Sequence, residues 1–344
     1  MKEILVLAEH VDNKLSPITF ELLGAARSLA DKLQARVACF LLGYNIKDQI
    51  QALFSAGADR VYIAEHPELK DYRTLPYNKI ISDYISSLEI KPHIFLIGAT
   101  TTGRDLAPRL ACKFNSGLTA DCTELDIGEF DYNSKTDIKR SGLYKDCLYA
   151  IRPSFGESLK ARILGPWNNP QMATIRPGIM LPIKPIENKQ GEIIEVPINL
   201  TKNDLEIEII ESFREINNEI DLSSAEIIIE GGYGLANAQG FDLLRELAGC
   251  FNNASLGATR KVIDEGWMPY KYQIGQTGKT VRPKLLIACG VSGAIQQRIG
   301  IQNAGCIVAI NKDACAPIFR FAHYGIIGDL YHVIPELIKE LKEF

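Results

Sequence analysis

The chain has no apolar stretch approaching the roughly 20 residues that span a bilayer. Its start, Met1-Lys2-Glu3-Ile4-Leu5-Val6-Leu7, offers one lysine and a short apolar run. A secretory signal needs a longer apolar region and a small-residue cleavage site. A buried first strand, a cytoplasmic location and no membrane insertion are therefore expected. Paired cysteines are missing as well. Cys39, Cys112, Cys122, Cys147, Cys250, Cys289, Cys306 and Cys315 are scattered, and none has the Cys-x-x-Cys spacing of zinc or iron–sulfur ligation. They read as reduced core residues. The five histidines are equally dispersed, so no metal site is expected. Positive charge is not in excess: 38 basic against 42 acidic residues give −4, which favours neither nucleic acid nor an anionic membrane. There is no G-x-S-x-G elbow, no H-E-x-x-H and no Walker lysine loop. Hydrolytic machinery thus has no local motif.

What is present is alternation. A length of 344 residues suggests two domains. Strand signals at Glu3–Ala8, Val37–Leu42, Arg60–Ala64 and His93–Gly98 alternate with helical patterns. One helix begins at Ser16-Pro17, and others cover Gln49–Phe54, Asn78–Leu88 and Gly103–Phe114. Such alternation predicts a mainly parallel sheet covered on both faces. Shorter strand-like runs follow at Cys147–Arg152 and Ala161–Leu164, and then a segment rich in Pro, Glu, Lys, Asn and Ile, which contains one alternating run at Leu205–Ile210. We place the domain boundary near 205–220, giving domains 1–205 and 206–344. The second series contains strands Ala225–Glu230, Leu285–Cys289 and Cys306–Ile310, a helix at Gly293–Gly300, and a final helix striped by Val333, Ile334, Leu337, Ile338 and Leu341. The fold class is α/β, with two α/β domains.

Four clusters in the second domain could bind a ligand. Gly231-Gly232-Tyr233-Gly234 follows a strand and precedes a helix, although an ordinary tight turn explains it equally well. Gly257-Ala258-Thr259-Arg260 puts a hydroxyl and a guanidinium at a strand-to-helix junction. Gly275-Gln276-Thr277-Gly278-Lys279 offers an amide and a hydroxyl between glycines, suited to the edge of a planar heterocycle. In Gly290-Val291-Ser292-Gly293-Ala294 a buried strand turns into a helix, aiming amides and the Ser292 hydroxyl at an anion. Together they point to a dinucleotide-sized ligand at the C-terminal edge of the sheet.

In this order the clusters resemble the FAD domain of electron-transfer flavoprotein alpha subunits. The likeness runs through Leu256–Arg260, Ile274–Val281, Leu286–Gln296, Ile307–Asp313 and Ala316–Phe319, and continues earlier in Gly103–Arg109, Gly117–Cys122 and Thr174–Gly178. It implies a heterodimer with a beta subunit, a Rossmann-like C-terminal domain that binds FAD, and an N-terminal domain that contacts the partner subunit. It further implies electron exchange with a flavin-dependent dehydrogenase of acyl-CoA type, within a bifurcating complex or outside one. By position, the resemblance puts Arg260 near the isoalloxazine ring and Thr277 at its N5/O4 edge, and counts Thr259 among the cofactor-binding residues. Gln276, Ser292, Gly293 and Ala294 meet the phosphate and ribityl region, and Asn311 and Asp329 hold the adenosine half. Arg104 and Arg109 read as helix and subunit pins. No catalytic residue is expected, since the chain is an electron carrier.

Two departures from the family pattern stand out. Tyr233 replaces the arginine of the usual Gly-Gly-Arg-Gly, which removes one candidate phosphate contact. Gln297 stands where the family has the histidine that bonds flavin N1/O2. Glutamine can donate there but cannot become a cation. A unit charge at ~4 Å and effective dielectric ~20 is worth about 4 kcal/mol, so losing part of it lowers the first flavin potential by on the order of 100 mV. A stand-alone nucleotide-dependent enzyme and a non-catalytic nucleotide sensor remain the competing classes.

Overall fold

Glu3–Ala8, Arg36–Gly43, Arg60–Glu65 and Ile94–Gly98 are near-continuous apolar runs, and each forms a parallel strand buried on both faces. The computed structural model describes residues 1–133, 138–154, 159–211, 220–222 and 224–343. The chain divides into two units, Met1–Ser212 and Phe213–Phe344.

In the first unit seven strands lie in the order Glu192–Glu195, Arg60–Glu65, Arg36–Gly43, Glu3–Ala8, Ile94–Gly98, Gln171–Ile175 and Leu118–Cys122, all parallel. Helix Pro17–Leu33, opened by Pro17 after Ser16, packs Leu22, Leu23, Ala26 and Leu29 into the core on one face. Helices Thr74–Ser87 and Thr101–Phe114 bury Ile80, Ile81, Leu106 and Leu110 on the other. Each such leucine contributes roughly 1.5–3 kcal/mol. A separate antiparallel sheet joins Glu124–Tyr132, Gly142–Ser154 and Leu159–Ile163.

The motifs noted in this unit act as pins. Arg104 Nε donates to the Ala99 carbonyl at 2.8 Å and Arg176 Nη2 to Asp121 at 2.8 Å. The Thr174 hydroxyl accepts from the Asp121 amide at 2.9 Å. Arg109 is half exposed and pairs with Asp105, one helical turn earlier, at 3.5 Å. The alternation at Leu205–Ile210 does not become a strand. Lys202–Leu205 forms a short 3-10 turn capped by Thr201 and Asp204, residues 206–211 are irregular, and Ile210 is 96% exposed. No neighbouring edge receives the run, and alternation alone does not make a sheet. Residues 206–211 therefore go with the first unit.

The second unit is a five-stranded parallel sheet in the order Ala254–Ala258, Ile227–Gly231, Leu285–Cys289, Cys306–Asn311, Tyr324–Ile327. In chain order this is 2-1-3-4-5, a doubly wound arrangement whose winding reverses between the first and third strands. Helices Gly240–Ala248 and Leu330–Glu343 cover one face through Phe241, Leu244, Leu247, Ile334 and Ile338. The other face packs Ile228, Ile274, Leu286 and Ile301. Tyr324–Ile327 closes the sheet as an edge strand that leaves Tyr324 and Ile327 about two-thirds exposed, at 67% and 64%.

Candidate functional site

The winding reversal opens a crevice at the C-terminal ends of strands Ile227–Gly231 and Leu285–Cys289, where open α/β sheets bind ligands. Two loops meet there. The Gly232 amide donates to the Cys289 carbonyl at 2.9 Å and the Gly234 amide to the Gly290 carbonyl at 3.0 Å. A Cβ on Gly232 would fall 2.2 Å from the Gly290 carbonyl oxygen, and Gly290 itself has φ +65°. Both positions therefore need glycine. The cavity measures about 670 Å³, within the range of small-molecule and cofactor sites.

Eight of the ten expected site residues line it: Thr259, Arg260, Gln276, Thr277, Ser292, Ala294, Gln297 and Asn311. Thr259 caps the short helix Arg260–Asp264, and the exposed Arg260 side chain reaches back to Asp264 at 3.6 Å. The Gln276 amide is tied to the Gln296 carbonyl at 2.8 Å, and the Thr277 hydroxyl accepts from buried Gln273 at 2.8 Å. Asn311 Nδ2 donates to the Val291 carbonyl at 2.9 Å, while its Oδ1 accepts from the Asp313 amide at 3.0 Å.

The other two residues lie off the lining. Gly293, at φ +82°, is buried with its α-carbon against Ile318, whose amide donates to the Ser292 carbonyl at 3.0 Å. Gly293 thus shapes the turn rather than the wall. Asp329 precedes helix Leu330–Glu343, where its carboxylate accepts from the Tyr331 amide at 3.0 Å. Helix Ile295–Ile301 has seven residues, beginning two later than the sequence pattern suggested.

Four lining residues escaped the sequence reading. Gln273, Lys261, Asp264 and Asp313 line the cavity from short loops and helix ends that carry no periodic signal. Tyr233, where the resemblance implied an arginine, is stacked on Trp267 at 5.4 Å with the Lys261 ammonium 3.5 Å from its ring centroid. A cation is therefore returned to that loop from the neighbouring helix.

Behind the lining, Glu230 is fully buried, and its carboxylate accepts from Gln297 Nε2 at 2.7 and 3.0 Å. Burial pushes the Glu230 carboxyl up to about 8, against the smaller opposing effect of that hydrogen bond. Gln297 is also buried, and its Oε1 finds no partner. The donor expected to serve flavin N1/O2 is thus bonded to Glu230 in this structure, at both carboxyl oxygens. An Ile-Ile-Ile-Glu sequence at a strand's end was the available signal for this pair.

A doubly wound domain with a crevice of about 670 Å³ at its winding reversal belongs to the class of open α/β folds that hold a ligand at the ends of their strands. Residues 4–200 match the electron transfer flavoprotein domain and residues 221–302 the electron transfer flavoprotein FAD-binding domain. The chain is 44% identical over 342 residues to the electron transfer flavoprotein subunit alpha of Thermoanaerobacterium thermosaccharolyticum, covering 99% of this chain and 98% of that protein. It is 40% identical over 360 residues to the acryloyl-CoA reductase electron transfer subunit beta of Anaerotignum propionicum, covering 99% and 96%. To the lactate dehydrogenase (NAD(+),ferredoxin) subunit LctC of Acetobacterium woodii it is 38% identical, covering 97% and 76%. The chain belongs to the electron transfer flavoprotein family, as an alpha subunit that binds FAD and transfers electrons. Among the described residues, no cluster could hold a metal ion and no helix is long and apolar enough to cross a membrane.

Proposed function

We propose that this subunit pairs with a beta subunit and carries electrons between an acyl-CoA-type dehydrogenase and a second carrier in the cytoplasm, with FAD held in the crevice just described. The convergence of eight expected residues on one cavity at the sheet's winding reversal supports this reading. The donor set also fits the cofactor. Hydroxyls and amides from Thr259, Thr277, Ser292 and Gln276 suit a polar ring edge and a phosphate chain, and the opposed glycines let backbone approach closely. FAD supplies the one- and two-electron chemistry.

The protein's own residues bind and tune. Arg260 and Thr277 would hold the ring end, with the guanidinium favouring negative charge there. Ser292, Ala294 and Gln276 would take the ribityl–phosphate region, and Asn311 would position the adenosine side. Gly293 supports that turn, and Asp329 belongs to the sheet edge beyond it. The first unit, with half-exposed Arg109, would meet the partner subunit.

A bifurcating role is a second reading, favoured by relatives named for acryloyl-CoA reductase and for an NAD(+),ferredoxin lactate dehydrogenase. Co-purification with the partner subunit tests the main reading. One FAD should be lost on Arg260→Ala plus Ser292→Ala, and the wild-type complex should be reduced by an acyl-CoA dehydrogenase with substrate. A colourless complex refutes it. A flavin count of two per heterodimer, with NADH oxidation, would favour bifurcation.

A further inference from the structure

Glu230 serves no purpose that strand formation explains. Its neighbours Ile227, Ile228 and Ile229 fill the core, and a fully buried carboxyl in their line costs folding free energy. Its side chain meets the Gln297 amide, which lines the crevice and has a buried oxygen without a partner. We propose that Glu230 and Gln297 form a proton-responsive pair behind the flavin, in which Glu230 takes up a proton when an electron enters the cofactor and so frees the Gln297 amide to donate toward the ring. This rests on the reading that the ring end of FAD lies at Gln297.

The geometry supports two states in one volume. With Glu230 ionised, the Gln297 NH₂ must face the carboxylate and Oε1 is left unpaired, as observed. With Glu230 protonated, its O–H can donate to Oε1 after a half-turn of the amide, and the NH₂ then takes the place that Oε1 holds now, on a residue that lines the crevice. The second state removes a negative charge and adds a donor, so added negative charge in the crevice favours it. The step balances: the electron comes from the partner dehydrogenase, the proton comes from solvent to a Glu230 oxygen, and no covalent bond changes other than that O–H.

Few other groups influence Glu230. On the adjacent strand the Cys289 thiol is pushed up to about 12 by burial and then by the Glu230 charge, so it stays neutral. Strand Ala254–Ala258 brings no ionisable side chain, and from helix Ile295–Ile301 Arg298 turns onto Phe321 at 5.0 Å. Arg260 reaches toward Asp264, Lys261 toward Tyr233, and Asp313 accepts from the Cys315 amide. Among the described residues no cation contributes to the Glu230 shift.

The test is spectroelectrochemistry of the intact heterodimer with FAD bound, from pH 6 to 10. The first-electron potential of wild type should fall by about 59 mV per pH unit above roughly pH 8, because a tenfold change in proton activity is 59 mV for a one-electron couple. Below the Glu230 value of about 8 the carboxyl already carries its proton and this slope disappears. Glu230→Gln should abolish the slope while FAD content stays complete. Equal slopes in wild type and variant, with flavin fully bound, overturn this inference alone. A complex without flavin overturns the crevice reading and this inference with it. Should Glu230→Gln not fold, infrared difference spectra of wild type at pH 9 decide. A buried protonated carboxyl should appear on reduction, and its absence overturns the proposal.

Discussion

Single side chains decide how this crevice treats charge. Arg260 is an exposed cation of the crevice lining, proposed above for the ring end, and its side chain is 69% accessible, so its effect is screened. We expect Arg260→Ala to lower the flavin's first potential by tens of millivolts, roughly 0.5–1.5 kcal/mol, without unfolding the domain. Redox titration of the variant complex checks this, and an unchanged potential counts against a ring-side position. Gly232 is the opposite case, a residue that matters by having no side chain. Gly232→Ala drives a Cβ to 2.2 Å from the Gly290 oxygen, so the two loops must separate. Loss of FAD with retained secondary structure, measured by absorbance and circular dichroism, is the expected result. The glycines and Thr277 were legible in the sequence because turn chemistry is local. Gln297 was legible as a position, but its partner Glu230 is 67 residues away along the chain, and only the fold brings them together.

At the level of elements, legibility followed burial. Ile94–Gly98 reads as a strand because both of its faces are covered. Gln171–Ile175 is equally buried but begins with a glutamine and contains a threonine, so no apolar run announces it. Its polar groups are satisfied by neighbouring strands instead, with Gln171 Oε1 accepting from the Leu148 amide of the antiparallel sheet at 2.8 Å. Leu205–Ile210 is the reverse, a clean alternation with no sheet to join. Helix Thr101–Phe114 illustrates a cap with two tasks. The Thr100 hydroxyl accepts from the Gly103 amide at 3.0 Å and donates to half-buried Glu9 at 2.7 Å. Replacing Thr100 by alanine should cost about 2 kcal/mol, from the lost cap and an unsatisfied carboxyl. For a unit of this size that lowers Tm by roughly 4–8 °C in calorimetry.

Across the whole molecule the buried acids set the pH response of stability. Burial raises Glu9 to about 7 and Glu230 to about 8, both above the ordinary value of 4.5. Folded values above unfolded ones mean that their contribution is fully present below about 4.5 and is lost as pH rises through 7 and 8. For Asp59 and Asp121 burial pulls upward, but Lys189, the Val37 amide and Arg27 around the first, and Arg176, Arg104 and Arg152 around the second, together hold them low, so their contribution fades as pH falls below 3.8. The flavin-free chain should therefore be most stable near pH 5 and weaker by a few kcal/mol at pH 8.5. Urea midpoints across that range check this, and Glu230→Gln should flatten the alkaline limb.

The edge strand Tyr324–Ile327 carries a consequence for how the subunit is made. Its outer row of backbone groups and its bare isoleucine and tyrosine side chains offer a landing strip for any other extended chain. At high concentration the chain should gather into sticky oligomers, and one lysine in place of Ile327 should keep it dispersed, as light scattering would show.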